Sequence, residues 1–241
     1  MKLSVVCPSY NEQDNVKPLV EEIEKALKDI DHEIIIVDVS NDKTEENVKK
    51  IMKKNKNVIL EHDLQYKGLS RQVIRGFEIA KGEVIAVMDS DLQHPPHLLK
   101  KMYEEIVNGA DFVIPSRFIK GGSDGGLNLY RKFVSFVARE LGKVYLPSLR
   151  KISDLSSGYF MFKKENLNDI YELDPIGWKI MLEVLMKSKY EKIVEIPHKF
   201  DTRNSGVSKM SKKVIMEYLE QLKRLRKCKN KNKYVLERKY Y

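Results

Sequence analysis

The sequence predicts an α/β fold, a sheet assembled from βαβ units and flanked by helices. Two observations carry that expectation. Short apolar runs alternate with longer stretches whose apolar residues recur at helical spacing, the order that lays strands side by side and parallel through right-handed crossovers. Polar clusters stand directly after three of those runs, and in such sheets ligands bind beyond the carboxyl ends of the strands. With 42% hydrophobic residues in 241, the chain can fill a core of that kind.

The elements follow in order. Residues 3–7 are a largely apolar strand, closed by Pro8, Ser9, Tyr10, Asn11 and Glu12. Val16, Leu19, Val20, Ile23 and Leu27 then repeat at helical spacing, which makes residues 15–27 a helix. Residues 33–37 are the second strand, with Asp38 at its end. A turn over 40–44 leads into a helix over 45–54 that faces Val48 and Ile51 inward. Residues 57–60 are a short third strand. After a loop over 62–68, a helix presents Val73, Ile74, Phe77 and Ile79.

The central strand, residues 84–88, is apolar throughout and fits burial on both faces. Asp89 and Asp91 follow it one residue apart. On an extended backbone they point to the same side, so both carboxylates reach one divalent cation. Such an ion removes the repulsion between them and can carry a diphosphate. Gln93 adds a neutral oxygen on that side, and Pro95-Pro96 ends the strand. An Asp-x-Asp pair alone also occurs in solvated loops and helix caps. Here it is joined at the strand ends by residues 8–12 and Asp38.

Beyond Pro96, residues 98–107 read as a helix and 111–115 as a strand leading to Ser116 and Arg117; the glycine-rich loop 121–126 reads as mobile. Residues 129–146 mix Phe133, Phe136, Val137 and Leu141 with Arg131, Lys132 and Arg139, which suits a core helix or one lying on a membrane. Residues 154–162 are a loop entering a buried strand. Residues 178–186 form a short helix that opens with the single tryptophan, Trp178, and 193–197 form a last strand. The polar stretch 200–211 reads as a flap over the crevice. An amphipathic basic helix over 212–227 precedes a weakly structured end, 228–241. The expected division is a body of residues 1–211 and a basic helix and tail of residues 212–241.

Charge is unevenly distributed. Residues 209–241 hold twelve Lys or Arg against three Glu, which accounts for the whole net charge of +9. Such a segment suits an anionic partner, and its amphipathic helix favours a membrane surface over nucleic acid. Cys7 and Cys228 imply no disulfide framework, which points to a reducing compartment. The sequence contains no run of about twenty apolar residues, the length that would span a bilayer. The expectation is a cytoplasmic protein, peripheral on the cytoplasmic face of a membrane.

Together the motifs Pro8-Ser9-Tyr10-Asn11-Glu12, Val37-Asp38, Lys67-Gly68-Leu69, Asp89-Ser90-Asp91-Leu92-Gln93-His94-Pro95-Pro96, Ser116-Arg117 and Ser156-Ser157-Gly158-Tyr159 carry a resemblance over residues 1–211. The chain resembles the family-2 glycosyltransferases of GT-A fold, and among them the dolichyl-phosphate mannose synthases. The resemblance implies a Rossmann-like nucleotide-diphospho-sugar transferase with a mixed sheet flanked by helices. It implies a nucleotide pocket of Pro8, Tyr10, Glu12, Ile36 and Asp38, with Ser90 beside the donor. A Mg²⁺ or Mn²⁺ ion would sit on Asp89, Asp91 and Gln93. Asp91, Arg117 and Arg131 would act in catalysis, the arginines facing the acceptor phosphate or the departing diphosphate, while Lys179, Arg203 and Lys209 would close over the donor. Two departures stand out: a single Asp38 where such enzymes often carry two adjacent aspartates, and His97 where Glu is usual.

The implied reaction moves a sugar, mannose from GDP-mannose foremost, onto a polyprenyl or dolichyl phosphate with inversion. The alternatives are a UDP-glucose or UDP-GlcNAc donor and another lipid or a polysaccharide acceptor. A phosphate acceptor is already anionic and needs no general base. That agrees with five histidines that form no evident triad, of which only His94 and His97 lie near the centre of the sequence motifs. Both histidines read as structural or solvent-facing groups rather than ligands.

Overall fold

Strands that are apolar on both sides need both faces covered, and the chain supplies the cover. The structure, a computed structural model, describes residues 1–125, 129–174, 176–199, 212–228 and 233–240, with backbone alone for 129–133 and 212–213. The elements run β1 (Leu3–Ser9), α1 (Val16–Ala26), β2 (His32–Asp38), α2 (Thr44–Met52), β3 (Val58–His62), α3 (Leu69–Ile79), β4 (Val84–Val87), α4 (Leu98–Val107) and β5 (Phe112–Ser116). They continue with α5 (Leu129–Tyr145), β6 (Phe160–Lys163), α6 (Ile180–Lys187), β7 (Lys192–Pro197), α7 (Lys212–Lys227) and β8 (Val235–Arg238).

One eight-stranded sheet has the order β3-β2-β1-β4-β6-β5-β7-β8. Side chains alternate across it. Val5, Cys7, Ile34, Ile36, Ala86 and Met88 pack beneath α1, α2 and α4 with Leu19, Val48 and Leu99. Val6, Ile35, Val37, Ile85 and Val87 pack on the other face with Val73 and Phe77 of α3, Leu182 of α6 and Leu222 of α7. Helix α3 lies close on β1: a Cβ at Gly76 would come within 2.2 Å of Val6 Cγ1, so no larger residue fits there without moving the helix.

Two expectations require correction. The strand entered from residue 154 is antiparallel to both β4 and β5, so the sheet is mixed where the alternation of elements alone implied a parallel one. The end of the chain is not weakly structured throughout, because β8 pairs in parallel with β7 through Ile193↔Leu236 and Glu195↔Arg238. Helix α7 also belongs to the common core: Leu222 and Leu225 are fully buried, while Ile215 and Met216 on the same helix are exposed. Burying two leucines stabilises the body by about 1.5–3 kcal/mol each. Residues 212–228 and 233–240 are therefore structurally part of the sheet and its helical cover.

Candidate active site

Two reversals at β6 restore the original direction, so β1, β2, β3, β4, β5 and β7 all present their carboxyl ends on one rim. Strand β6 runs the other way and therefore brings its amino end, with Ser156, Ser157 and Gly158, to the same rim.

At the β1–β2 side, the loops are stapled to each other. Asn11, whose φ of 57° is left-handed, donates its N–H to Ser40 Oγ at 2.7 Å, and the Glu12 N–H donates to Thr44 Oγ1 at 3.0 Å. Gln72 on α3 donates from Nε2 to the carbonyls of Ser9 (2.8 Å) and Val37 (2.7 Å), which fixes the spacing of the two strand ends. Asp38 is fully buried, accepts the Ser40 hydroxyl, and pairs with His62 Nδ1 at 2.8 Å. Its carboxylate thus holds these loops together rather than presenting itself to solvent. Tyr10 is half-buried at the rim, Glu12 accepts from Asn15 Nδ2 at 2.6 Å, and Ile36 is wholly buried under α1 and α2, so its side chain packs rather than binds.

At the centre, β4 ends at Val87 and the backbone turns through the aspartates instead of staying extended. Ser90 donates to the Pro8 carbonyl at 2.9 Å, which anchors the turn on β1. Asp91, 9% exposed, accepts the Gln93 N–H at 3.1 Å, and Leu92 takes a left-handed φ of 63°. Asp89 remains open to the cleft. His94 accepts the Asp89 N–H on Nδ1 at 3.0 Å and lies 3.7 Å from the Asp89 carboxylate; its pKa is pushed down to about 4 by burial, with the Asp91 charge opposing. The ring is therefore neutral at pH 7, a buttress stacked on Tyr159 at 5.1 Å.

Across the cleft stands a cationic wall. Arg117, just beyond β5, grips Asp154 through Nε (2.7 Å) and Nη2 (2.9 Å), and Nη2 also reaches Ser156 Oγ at 2.8 Å. Burial alone would lower the guanidinium, but the fully buried Asp154 partner more than offsets it and leaves Arg117 raised. For Asp154 burial acts upward and the Arg117 bonds win, holding the carboxyl low. Lys179 donates from Nζ to the Ser156 carbonyl at 2.7 Å; burial, then the Arg117 charge, depress its ammonium to about 8. A cleft of ≈ 150 Å³ is lined by Asp89, His94, Arg117, Gly158, Trp178 and Lys179 among others. Gly158 faces Asp89 directly, because a Cβ there would stand 3.4 Å from Oδ2.

So the motif residues Asp89, Ser90, Asp91, Gln93, Arg117 and Lys179 meet on one rim with residues 8–12. Arg131 lies in α5, its side chain outside the described residues, and Arg203 and Lys209 lie outside them altogether. His97 is exposed and away from this arrangement, whereas His198 takes a place in it, 5.7 Å from the His94 ring. His198 follows the carboxyl end of β7, the position rule that had already singled out Asp38 and Asp89. Part of the glycine loop is tied to the same strand end, since the Ser123 N–H donates to the His198 carbonyl at 2.9 Å. Two carboxylates and an amide oxygen are hard donors of the kind that Mg²⁺ and Mn²⁺ select, so the residues present fit such an ion.

The glycosyl transferase family 2 profile matches residues 4–171. The chain belongs to that family. It is 44% identical to the dolichol-phosphate mannosyltransferase of Pyrococcus furiosus over 94% of its own length, spanning 64% of that relative. With the dolichol-phosphate mannosyltransferase of Saccharomyces cerevisiae it shares 35% identity over 93% of this chain and 87% of the other. Among solved structures, the glucosyl-3-phosphoglycerate synthase of Mycobacterium tuberculosis superposes with a TM-score of 0.65 at 18% identity, covering 92% of this chain and 78% of that one. That likeness establishes the GT-A architecture of this family 2 chain.

Proposed function

We propose that the protein is an inverting hexosyltransferase that moves mannose from GDP-mannose to a polyprenyl (dolichyl) phosphate at an anionic membrane surface. The observation that carries this reading is the opposition of Asp89 to Arg117 and Lys179 across one cleft at the strand ends. The names of the 44% and 35% identical relatives support mannose as the sugar moved and dolichol phosphate as its acceptor.

A Mg²⁺ or Mn²⁺ ion on Asp89, Asp91 and Gln93 would supply charge for a departing diphosphate. Arg117, held rigid through Nε and Nη2 by Asp154 and Ser156, sets a fixed positive charge at the cleft, and Lys179 adds a point charge beside it. Residues 8–12, braced on Ser40 and Thr44, form the wall where a nucleoside would lie. An acceptor phosphate needs no proton removed, which suits a cleft whose histidines are buried and neutral. Attack opposite the leaving group would convert an α-linked donor into a β-linked lipid phosphate. Incubating the chain with several nucleotide sugars and one polyprenyl phosphate tests the reading: mannosyl lipid from GDP-mannose is expected, and preferential transfer from a UDP-sugar would contradict it.

The cationic wall makes a pH prediction. Below pH 8 Lys179 carries its charge in the free enzyme; above it the charge is lost well before an ordinary lysine, near 10.4, would lose it. Donor kcat/KM is expected to fall roughly tenfold per pH unit above about 8, following the loss of one proton. Lys179→Gln should lower the rate at neutral pH and remove that limb. An unchanged alkaline limb in the variant would assign it to another group.

At the membrane, α5 and α7 would form the contact. Among the described residues no helix is long and apolar enough to cross a bilayer. Phe136 on α5 and Ile215 and Met216 on α7 are exposed apolar side chains, 52%, 46% and 65% accessible, and α7 carries the exposed Lys223 and Lys227. Because the rest of α7's apolar side is used in the core, deleting the tail would unfold the body rather than test adhesion. Ile215→Asp with Met216→Asp is the cleaner variant. Flotation with phosphatidylserine vesicles should drop severalfold, and unchanged flotation would reject this face.

A further inference from the structure

The last strand reaches the loop that stands behind the cleft. Arg238 on β8 stands opposite Glu195 on β7 in the strand register and donates from Nε to Glu195 Oε2 at 3.0 Å; its Nη2 donates to the Lys151 carbonyl at 2.8 Å. Glu195 is fully buried. Its other acceptor positions are filled from the loop that carries the cationic wall: the Ser153 N–H reaches Oε1 at 2.8 Å, the Ser153 hydroxyl Oε2 at 2.9 Å, and the Asp154 N–H Oε1 at 3.4 Å. From Asp154 the chain of contacts continues to the Arg117 fork, and from Ser156 to Lys179.

We propose that Arg238 is a positioning residue for the cleft: by neutralising Glu195 it fixes the loop over residues 151–156, and through it the placement of Arg117 and Lys179. A buried carboxylate needs both hydrogen bonds and an opposite charge. Among the described residues Arg238 is the one cation within ion-pair distance of Glu195. Without it, Glu195 is left as a buried charge with no opposite partner, and the loop must shift or admit water to accommodate it. Either change moves Asp154, and a displacement of about 1 Å at a positioning group can reduce a rate by as much as 10²-fold. The contact also explains why a short, charged strand at the chain's end is joined to the sheet at all: its anchor is an ion pair under the active-site loop.

The kinetic part of the test rests on the transferase reading; the optical part does not. Trp178, the only tryptophan in the sequence, lines the cleft together with Lys179 and with Ser156 of this loop, so its fluorescence reports on the cleft that the loop shapes. In Arg238→Ala, acrylamide quenching of Trp178 in the folded protein should rise, and kcat for mannosyl transfer should fall about tenfold at saturating donor and acceptor. Arg238→Lys keeps the charge but cannot also reach Lys151, so an intermediate loss is expected; it carries the test should the alanine variant not fold. Combined with Asp154→Ala, the Arg238 substitution should have little further effect, since the two act in one line. A purely structural β8 would lower the melting temperature and leave quenching and kcat of the folded protein untouched, and that result would overturn the proposal. If wild-type protein quenches as expected but transfers no sugar, the transferase reading fails and the positioning inference is judged on quenching alone.

Discussion

Sugar transfer by Asp91→Ala is expected to fall about 10³-fold below wild type, the size of an effect of several kcal/mol on a transition state that gathers charge on a diphosphate. The loss should belong to chemistry, not folding. Asp91 sits on a turn and accepts the Gln93 N–H, a contact worth about 1 kcal/mol. Asp91→Asn separates the two contributions, because an amide oxygen can still accept from Gln93 while the charge is gone. Both variants should melt within a few degrees of wild type, and both should lose response to added Mn²⁺. Steady-state kinetics with and without chelator checks this; retention of wild-type turnover by the Asn variant would remove Asp91 from the metal site.

Arg117→Lys is expected to lower kcat/KM about 10²-fold while the protein stays folded. The guanidinium makes three described side-chain bonds at once, two to Asp154 and one to Ser156, and a lysine ammonium on a flexible stem cannot reproduce that fork. Charge is conserved, so Asp154 is not left alone. Arg117→Ala differs in kind: it strands a fully buried carboxylate, a change that typically destabilises by about 3–5 kcal/mol. Thermal unfolding should therefore separate the two variants sharply, with the lysine near wild type and the alanine far below. Equal melting temperatures with equal kinetics would mean that the Arg117–Asp154 pair serves neither role.

How far the sequence reveals this arrangement depends on what each residue faces. Strands such as β2 and β4 are readable because both faces are covered and their apolar runs are unbroken. The direction of β6 is not, since Phe160, Met161 and Phe162 would pack equally well either way; its pairing decides. Strand β8 escapes for a related reason. It is a short edge strand flanked by lysines, the composition that keeps an edge from aggregating, and its place comes from partners distant in sequence, β7 with Glu195 and the Lys151 carbonyl. At the site, Asp89 and Arg117 are legible from motif and position as members of the strand-end cluster, whereas Lys179 enters through the family resemblance alone. Asp154, Gln72 and His198 are not legible: the first two act through neighbours distant in sequence, and His198 follows a strand whose rank in the sheet the linear order conceals. Asp38 reads from the sequence as a site residue, yet its burial makes it the knot of the β1–β2 loops.

A divalent ion on the two carboxylates at the end of β4 is the central element of the proposed transfer, and GDP binding measured by calorimetry with Mn²⁺ and then with EDTA tests it most directly. Wild-type protein should bind GDP at least tenfold more tightly with the metal, and Asp91→Asn should bind weakly and alike in both conditions. Equal affinity with and without metal in the wild type, matched by the variant, would contradict it.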